Sequence, residues 1–191
     1  MLVFVEGIDK AGKSTFIRNF SNLTSIPAYR KSPPADLELS EHHSFFKGIG
    51  FGLVELHEIF NFDAIIDRSF ISDWVYTNKY KAKDFSIWAE WELRQLSKEN
   101  FIIYIDISEN VFLERIRKHP DIYMESSEYQ THQDLYSTYF QKTTLPNISI
   151  RGDLPFDEQI YSFKEWLTQS CSGYTFFGKL TSYLGARDRT K

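Results

Sequence analysis

The chain has 191 residues and a formal net charge of -4, with 25% charged residues and no basic block before the last few positions. This charge argues against a nucleic-acid partner, and no apolar run approaches the roughly 18 residues of a membrane-spanning helix. The single Cys171 excludes an internal disulfide and a cysteine-based zinc site, which is consistent with a reducing compartment. From the length of the chain and these features we expect one soluble, cytoplasmic domain.

The first predicted element is a short strand at residues 2–5, which leads directly into a glycine-rich loop. The loop has the spacing G-x-x-x-x-G-K-S, in which the glycines let the backbone curl so that successive N–H groups point inward. Its residues are Gly7, Ile8, Asp9, Lys10, Ala11, Gly12, Lys13, Ser14 and Thr15. A helix predicted at 14–20 adds the positive end of its dipole. The sequence therefore predicts a polyphosphate-binding site.

Two side chains of this loop have predicted chemical roles. Lys13 reaches the terminal phosphates as a point charge, and the Ser14 hydroxyl occupies one position on a magnesium ion. A glycine-containing turn that fits the pattern by chance is the alternative. The complete motif, placed between a strand and a helix, favours the phosphate-binding interpretation.

The rest of the chain alternates between predicted strands and helices. Further strands are predicted at 26–30, 64–66, 101–105 and 148–151. Helices are predicted at 36–60, 71–80, 85–98, 109–118, 127–142 and 156–168, and the first of these is broken near residues 48–52. The run at 101–105 is continuously apolar, as in a parallel strand covered on both faces. The order predicts a doubly covered parallel sheet in one domain, 1–169. Residues 170–191 are weakly patterned and predict a surface extension of unknown role.

Polar residues follow the predicted strands at their carboxyl ends, where ligands of a parallel sheet collect. Arg30 and Lys31 follow the second strand, Asp67 and Arg68 the third, and Asp106 the fourth. An acidic residue beside a phosphate loop holds magnesium through water, and a neighbouring arginine binds a second phosphate. Asp67 and Arg68 fit these two roles.

The helix after Arg68 places polar side chains on one face. Ser69, Ser72 and Tyr76 follow i, i+3, i+7 spacing near the strand end. This face is directed either at a polar ligand or at solvent, and the spacing alone leaves both alternatives open.

Cations gather at the end of the helix that precedes Pro120. They are Arg115, Arg117 and Lys118. One explanation is their favourable interaction with the helix dipole. The other is a mobile lid at about 115–128, whose cations close over the nucleotide and neutralise charge on the transferring phosphoryl group.

These residues together resemble the thymidylate kinase group of nucleoside monophosphate kinases over about residues 2–168. The strongest part, Phe-Val-Glu-Gly-Ile-Asp-Lys-Ala-Gly-Lys-Ser-Thr at 4–15, is similar to that family's Glu-Gly-x-Asp phosphate loop. Asp67 and Arg68, with Ser72 and Tyr76, resemble its Asp-Arg motif and substrate helix. Residues 104–107 and 113–117 resemble its fourth strand and lid entry.

The resemblance implies a P-loop α/β/α sandwich with a five-stranded parallel sheet and a short lid. It implies transfer of the γ-phosphate of ATP, with Mg²⁺, to a deoxynucleoside monophosphate such as dTMP, and it suggests a homodimer. Asp9 would approach the acceptor sugar, and Lys10 would stand where some members carry a catalytic arginine. Arg68 would contact the acceptor phosphate or the neighbouring phosphate, while Arg115 and Arg117 would belong to the lid.

The base of the acceptor is not fixed by the resemblance. Gly50 or a neighbour lies where thymidylate kinases usually carry an arginine that contacts the base. Phe46 and Phe51 are candidates to stack on a base, but each is equally suited to the core.

Deoxynucleoside kinases are the main alternative, because residues 67–73 also resemble their Glu-Arg-Ser motif. A nucleoside hydroxyl must lose a proton, so those enzymes carry a carboxylate after the second strand. A monophosphate is already anionic and needs cations there. This chain offers Arg30 and Lys31 and no carboxylate until Asp36, which favours the monophosphate. A kinase of a modified pyrimidine nucleotide and a non-enzymatic nucleotide switch are further alternatives.

Overall fold

The computed structural model describes residues 1–30, 52–78, 100–120, 124–171, 173 and 176–185. Five strands lie in these ranges: β1 Leu2–Glu6, β2 Ala28–Arg30, β3 Ala64–Asp67, β4 Asn100–Asp106 and β5 Asn147–Arg151. They form one parallel sheet in the order β2-β3-β1-β4-β5. Every residue of β1 and β3 is buried, as expected for central strands covered on both faces. The predicted parallel sheet is confirmed.

The described helices lie between the strands and after the last strand. They are α1 Lys13–Thr24, α2 at 52–60, α3 Phe70–Asn78, α4 Glu109–Lys118, α5 Tyr129–Lys142, α6 Phe156–Ser170 and α7 Phe176–Gly185. A 3₁₀ turn at Ser126–Glu128 precedes α5. Among the described helices, none has the length and apolar character needed to cross a membrane.

Helices cover both faces of the sheet, as the contacts of β4 illustrate. Successive side chains of a strand point to opposite faces, so positions an odd number apart face different layers. The Phe101 ring packs on Phe163 of α6 with centroids 5.9 Å apart, and the Tyr104 ring packs on Tyr136 of α5 at 5.1 Å. Phe20 of α1 joins Phe163 at 5.3 Å, and α3 packs on α5. The fold is therefore a three-layer α/β/α sandwich.

The described elements lie close to their predicted positions, with small differences at the ends. The second strand begins at Ala28 rather than at residue 26, and α3 begins one residue before its predicted start. The helix predicted at 85–98 and the 36–51 part of the one predicted at 36–60 lie outside the described residues.

The last helix differs from the predicted surface extension. Leu180 and Leu184, one turn apart on α7, are buried in the core, and α7 packs against α1. Asp63, just before β3, accepts hydrogen bonds from Lys179 Nζ at 2.6 Å and Tyr183 Oη at 2.8 Å. The helix is thus part of the domain, docked by one apolar and one polar face.

Candidate active site

The phosphate loop curls between β1 and α1 through backbone angles that favour glycine. Gly7 and Gly12 have φ of +143° and +102°. A Cβ on Gly7 would collide with the carbonyl oxygen of Ile105 in β4, so the first glycine also permits close packing of the loop on the sheet. Ser14 and Thr15 are exposed at the start of α1, where the backbone N–H groups and the helix dipole favour an anion.

Lys13 is buried beneath this loop. Its Nζ donates to the carbonyl oxygens of Gly7 at 2.8 Å and Ile8 at 2.6 Å, and the residue is only 6% exposed. Burial, reinforced by the Arg68 cation, lowers the pKa of Lys13 to about 7. A polyphosphate would favour the charged ammonium, so the loop holds a cation whose charge depends on its ligand.

Arg115 of α4 also contacts the phosphate loop. Its Nη1 donates to the Lys10 carbonyl at 2.7 Å, and its Nη2 donates to the Gly152 carbonyl at 3.1 Å. Gly152 follows β5 and packs so closely that a Cβ there would overlap the Ala11 carbonyl oxygen. One arginine therefore joins α4, the phosphate loop and the end of β5.

The other cations on α4 have different surroundings. Lys118 Nζ donates to Glu114 Oε1 at 2.6 Å, one turn earlier, which fits the helix-stabilising alternative for this lysine. Arg117 is exposed on the same helix. Residues 121–123 of the predicted lid lie outside the described residues.

Arg68, Asp9 and Tyr76 form a compact polar cluster beside the loop. Arg68 Nη2 donates to Asp9 Oδ1 in an ion pair, and Tyr76 Oη donates to Asp9 Oδ2 at 2.7 Å. The Arg68 guanidinium carbon lies 5.0 Å from the centre of the Tyr76 ring. Burial alone would raise the pKa of Asp9, but the Arg68 and Lys13 cations lower it below its ordinary value. Asp9 is therefore an ionised hydrogen-bond acceptor at neutral pH.

Glu6 lies directly below this cluster, at the end of β1. Its carboxylate accepts hydrogen bonds from Ser69 N, Ser69 Oγ at 2.6 Å, Ser72 Oγ and Tyr136 Oη at 3.4 Å. Ser72 Oγ also accepts from Arg68 Nη1 at 3.2 Å. Ser72 is buried behind Arg68, where it contacts the arginine and Glu6. The sequence places Glu6 in the segment that resembles the Glu-Gly-x-Asp phosphate loop, but it does not predict these hydrogen-bond partners.

Asp67 is suited to hold magnesium through water. It is 7% exposed, and within the described part of the chain its Oδ1 has no hydrogen-bond partner. Its Oδ2 lies 3.9 Å from Nε of the exposed Arg30. No group of three potential metal ligands occurs among the described residues, but Mg²⁺ needs only one or two protein ligands beside substrate phosphates and water. Asp67 and the exposed Ser14 fit that requirement.

Asp106, at the end of β4, is another residue singled out from the sequence. Its Oδ1 accepts from Gln133 Nε2 at 2.8 Å, so this carboxylate is engaged with α5. Phe46 and Phe51, the candidates to stack on a base, lie outside the described residues.

The comparisons with known proteins find similar structures but no similar sequence. No family model matches the chain, and no curated protein matches it. The YorR protein from Bacillus subtilis, in complex with phosphorylated GDP, is 22% identical with a TM-score of 0.63, over 87% of this chain and 96% of that chain. Deoxyadenosine kinase from M. mycoides with bound dATP is 15% identical with a TM-score of 0.65, over 88% and 100%.

A third solved structure has the same fold. A sugar kinase from Janibacter sp. is 16% identical with a TM-score of 0.59, over 91% of this chain and 98% of that chain. At such identities the similarity establishes the fold alone, which is that of P-loop kinases. The narrower resemblance to thymidylate kinases stays a prediction.

Proposed function

We propose that this protein is an ATP- and Mg²⁺-dependent phosphotransferase that moves the γ-phosphate of ATP to a deoxynucleoside monophosphate, with dTMP as the first candidate. The observation that carries the proposal is that Lys13 and Arg68 contact the same loop carbonyl. Lys13 Nζ donates to Gly7 O at 2.8 Å, and Arg68 Nη1 lies 3.5 Å from the same oxygen. Two basic side chains from separate elements are thus close together, where donor and acceptor phosphates would meet.

The donor half of the site is the phosphate loop. Its backbone N–H groups and Lys13 would bind the β- and γ-phosphates of ATP, and Arg115 holds the loop in its curled form. Ser14 and Asp67 would hold Mg²⁺, which when bound neutralises charge on the phosphate oxygens. Phosphoryl transfer depends on this positioning and charge neutralisation, because the protein contributes little covalent chemistry.

The acceptor half would be the cluster of Arg68, Asp9 and Tyr76. A planar guanidinium suits the bidentate binding of a phosphate, so Arg68 would bind the acceptor phosphate. Asp9, ionised at neutral pH, would accept a hydrogen bond from an acceptor sugar hydroxyl. Tyr76 packs on Arg68 and donates to Asp9, and this contact keeps both groups at one end of the site.

The charge at the end of β2 supports a monophosphate over a nucleoside. Arg30, the charged residue of β2, is exposed there and lies 3.9 Å from the Asp67 carboxylate. A cation is suited to an anionic acceptor, whereas a nucleoside would need a general base. Deoxynucleoside kinase activity is the second candidate, since the fold is shared with a deoxyadenosine kinase. In that case Asp36, outside the described residues, is the nearest candidate for the base.

The proposal is tested by an acceptor panel. The purified protein is incubated with ATP and Mg²⁺, and ADP release is measured with each deoxynucleoside monophosphate, modified pyrimidine monophosphates and the matching nucleosides. Lys13→Ala protein purified in the same way measures the contribution of contaminating kinases. We expect dTMP to stimulate ADP release most. Preference for thymidine over dTMP would support the nucleoside kinase, and the absence of any acceptor-stimulated turnover would refute the kinase proposal.

A further inference from the structure

A buried carboxylate that the proposed chemistry does not use lies under the acceptor cluster. Glu6 is 0% exposed and accepts from two serines and Tyr136. A buried polar group is costly unless it is hydrogen-bonded, and both carboxyl oxygens of Glu6 act as acceptors. Glu6 therefore determines where the protons of these neighbouring groups point.

The direction of the serine protons has consequences for Arg68. Ser72 has one hydroxyl proton and donates it to Glu6 Oε2, which leaves the lone pairs of its oxygen for other donors. Arg68 Nη1 donates to this oxygen at 3.2 Å, and Tyr136 Oη lies 3.0 Å from it. The guanidinium is thus held by an oxygen that Glu6 keeps in the accepting orientation.

Glu6 also stabilises the backbone beside Arg68. Arg68 has φ of +69°, in the left-handed region that is unfavourable for residues with a side chain. Its own N–H donates to Val5 O at 3.0 Å, and the N–H of Ser69 donates to Glu6 Oε1. Ser69 Oγ donates to the same carboxylate and accepts from Ile71 N at 3.1 Å, in the first turn of α3.

We propose that Glu6 is a positioning residue that holds Arg68 ready for the acceptor, through the Ser72 hydroxyl and the Ser69 backbone. The inference rests on the proposed function, in which Arg68 binds the acceptor phosphate. Glu6 contacts neither substrate, and it acts through hydrogen bonds that fix one guanidinium and the strained backbone that carries it.

The variant Glu6→Gln isolates this role because it keeps the size of the side chain. Its amide has one acceptor and one donor group, and the backbone N–H of Ser69 requires the acceptor. The NH₂ group must then face Ser72, whose oxygen becomes an acceptor for it and whose proton turns away from position 6. One lone pair of this oxygen then remains for Arg68 Nη1 and Tyr136 Oη, so the hydrogen bond that holds Arg68 weakens. We expect KM for the acceptor to rise several-fold, with about tenfold as the upper limit set by complete loss of one hydrogen bond to a charged group, and KM for ATP to stay unchanged.

A double-mutant cycle separates this role from a general loss of stability. Ser72→Ala removes the same acceptor for Arg68, so Glu6→Gln should add little to KM for the acceptor in the Ser72→Ala background. Asn100→Ala is the matched control. It removes a buried acceptor for Leu2 N at the other end of β1, so it should lower Tm without changing KM for the acceptor. Additive effects, or an unchanged KM in Glu6→Gln, would overturn the proposal.

A second measurement is independent of the acceptor. Crystal structures of the wild type and Glu6→Gln compare the distance from Arg68 Nη1 to Ser72 Oγ, which is 3.2 Å here. A displaced guanidinium in the variant supports the positioning role, and an unchanged one overturns it. If the wild type shows no acceptor-stimulated turnover, the proposed function fails while the structural result still decides the role of Glu6.

Discussion

Asp9 and Arg68 form an ion pair between the phosphate loop and the end of β3, although 59 residues separate them in the chain. Both side chains are partly buried, and Tyr76 contacts both of them. The pair places an ionised acceptor and a cation side by side at the edge of the loop. A monophosphate presents the complementary groups, an anion for Arg68 and a sugar hydroxyl for Asp9.

Removal of the Arg68 side chain tests this assignment. Arg68→Ala should raise KM for the acceptor by about tenfold or more, since a hydrogen bond to a charged group contributes about 1.5–3 kcal/mol. KM for ATP should change little, because Lys13 and the loop are retained. Arg18→Ala, at an exposed arginine on α1 that has no assigned role, is the control for loss of one positive charge. If only KM for ATP rose in Arg68→Ala, the arginine would belong to the donor half.

Lys13 should contribute to catalysis and, because it is buried, lower the free energy of unfolding. Lys13→Ala should lower kcat by about 100-fold or more through lost transition-state charge stabilisation, while circular dichroism stays unchanged. Near-normal kcat would contradict the assignment.

The stability cost of Lys13 has a defined pH dependence. Its pKa falls from 10.5 to about 7 on burial, so between these values the unfolded chain binds more protons than the folded one. Because of Lys13, the free energy of unfolding should therefore increase with pH across this window. Below pH 7 this lysine should contribute no pH dependence. Urea unfolding of wild type and Lys13→Met at pH 7 and 9 measures both free energies of unfolding. The value for Lys13→Met minus the value for wild type should be larger at pH 7 than at pH 9. An equal difference at both pH values would contradict the lowered pKa.

Gly152 should be as necessary to the donor half as the loop glycines. Gly152→Ala places a Cβ in the space of the Ala11 carbonyl oxygen, so the loop or the end of β5 must shift. We expect KM for ATP to rise several-fold. Gly173→Ala is the control, since a Cβ there meets no atom of the described residues within 4 Å. Equal KM values for ATP in both variants would show that the contact is not needed.

Much of the fold was predictable from the sequence because its signals are local. Continuous apolar runs predicted the central strands, and the spacing of Gly7, Gly12 and Lys13 predicted the loop. The contacts of Arg115 with Lys10 and Gly152 were not predictable, because they join residues 105 and 37 positions apart. Periodicity indicates which face is buried but not which distant group it meets.

The sequence pattern does not predict the last helix, for a related reason. Leu180 and Leu184 have helical spacing, but the segment is short and follows a stretch with weak patterning. Its docking depends on α1 and on Asp63, which lie more than 100 positions away in the chain. Leu180→Ala should therefore lower the free energy of unfolding by about 2–5 kcal/mol in a single urea transition, as for a buried leucine. Thr181→Ala, exposed on the same helix, should have a much smaller effect, and equal effects would contradict the docking.

Asp67 provides the test of the magnesium assignment. Asp67→Asn keeps the shape of the side chain but removes the charge from a carboxylate whose Oδ1 has no hydrogen-bond partner in the described part of the chain. We expect the Mg²⁺ concentration for half-maximal rate to rise about tenfold at saturating ATP, since hard cations prefer charged oxygen ligands. Arg30→Gln removes the nearby cation and keeps the carboxylate, so it should not raise the Mg²⁺ requirement. An unchanged Mg²⁺ requirement in Asp67→Asn would mean that Ser14 and the phosphates hold the ion without Asp67.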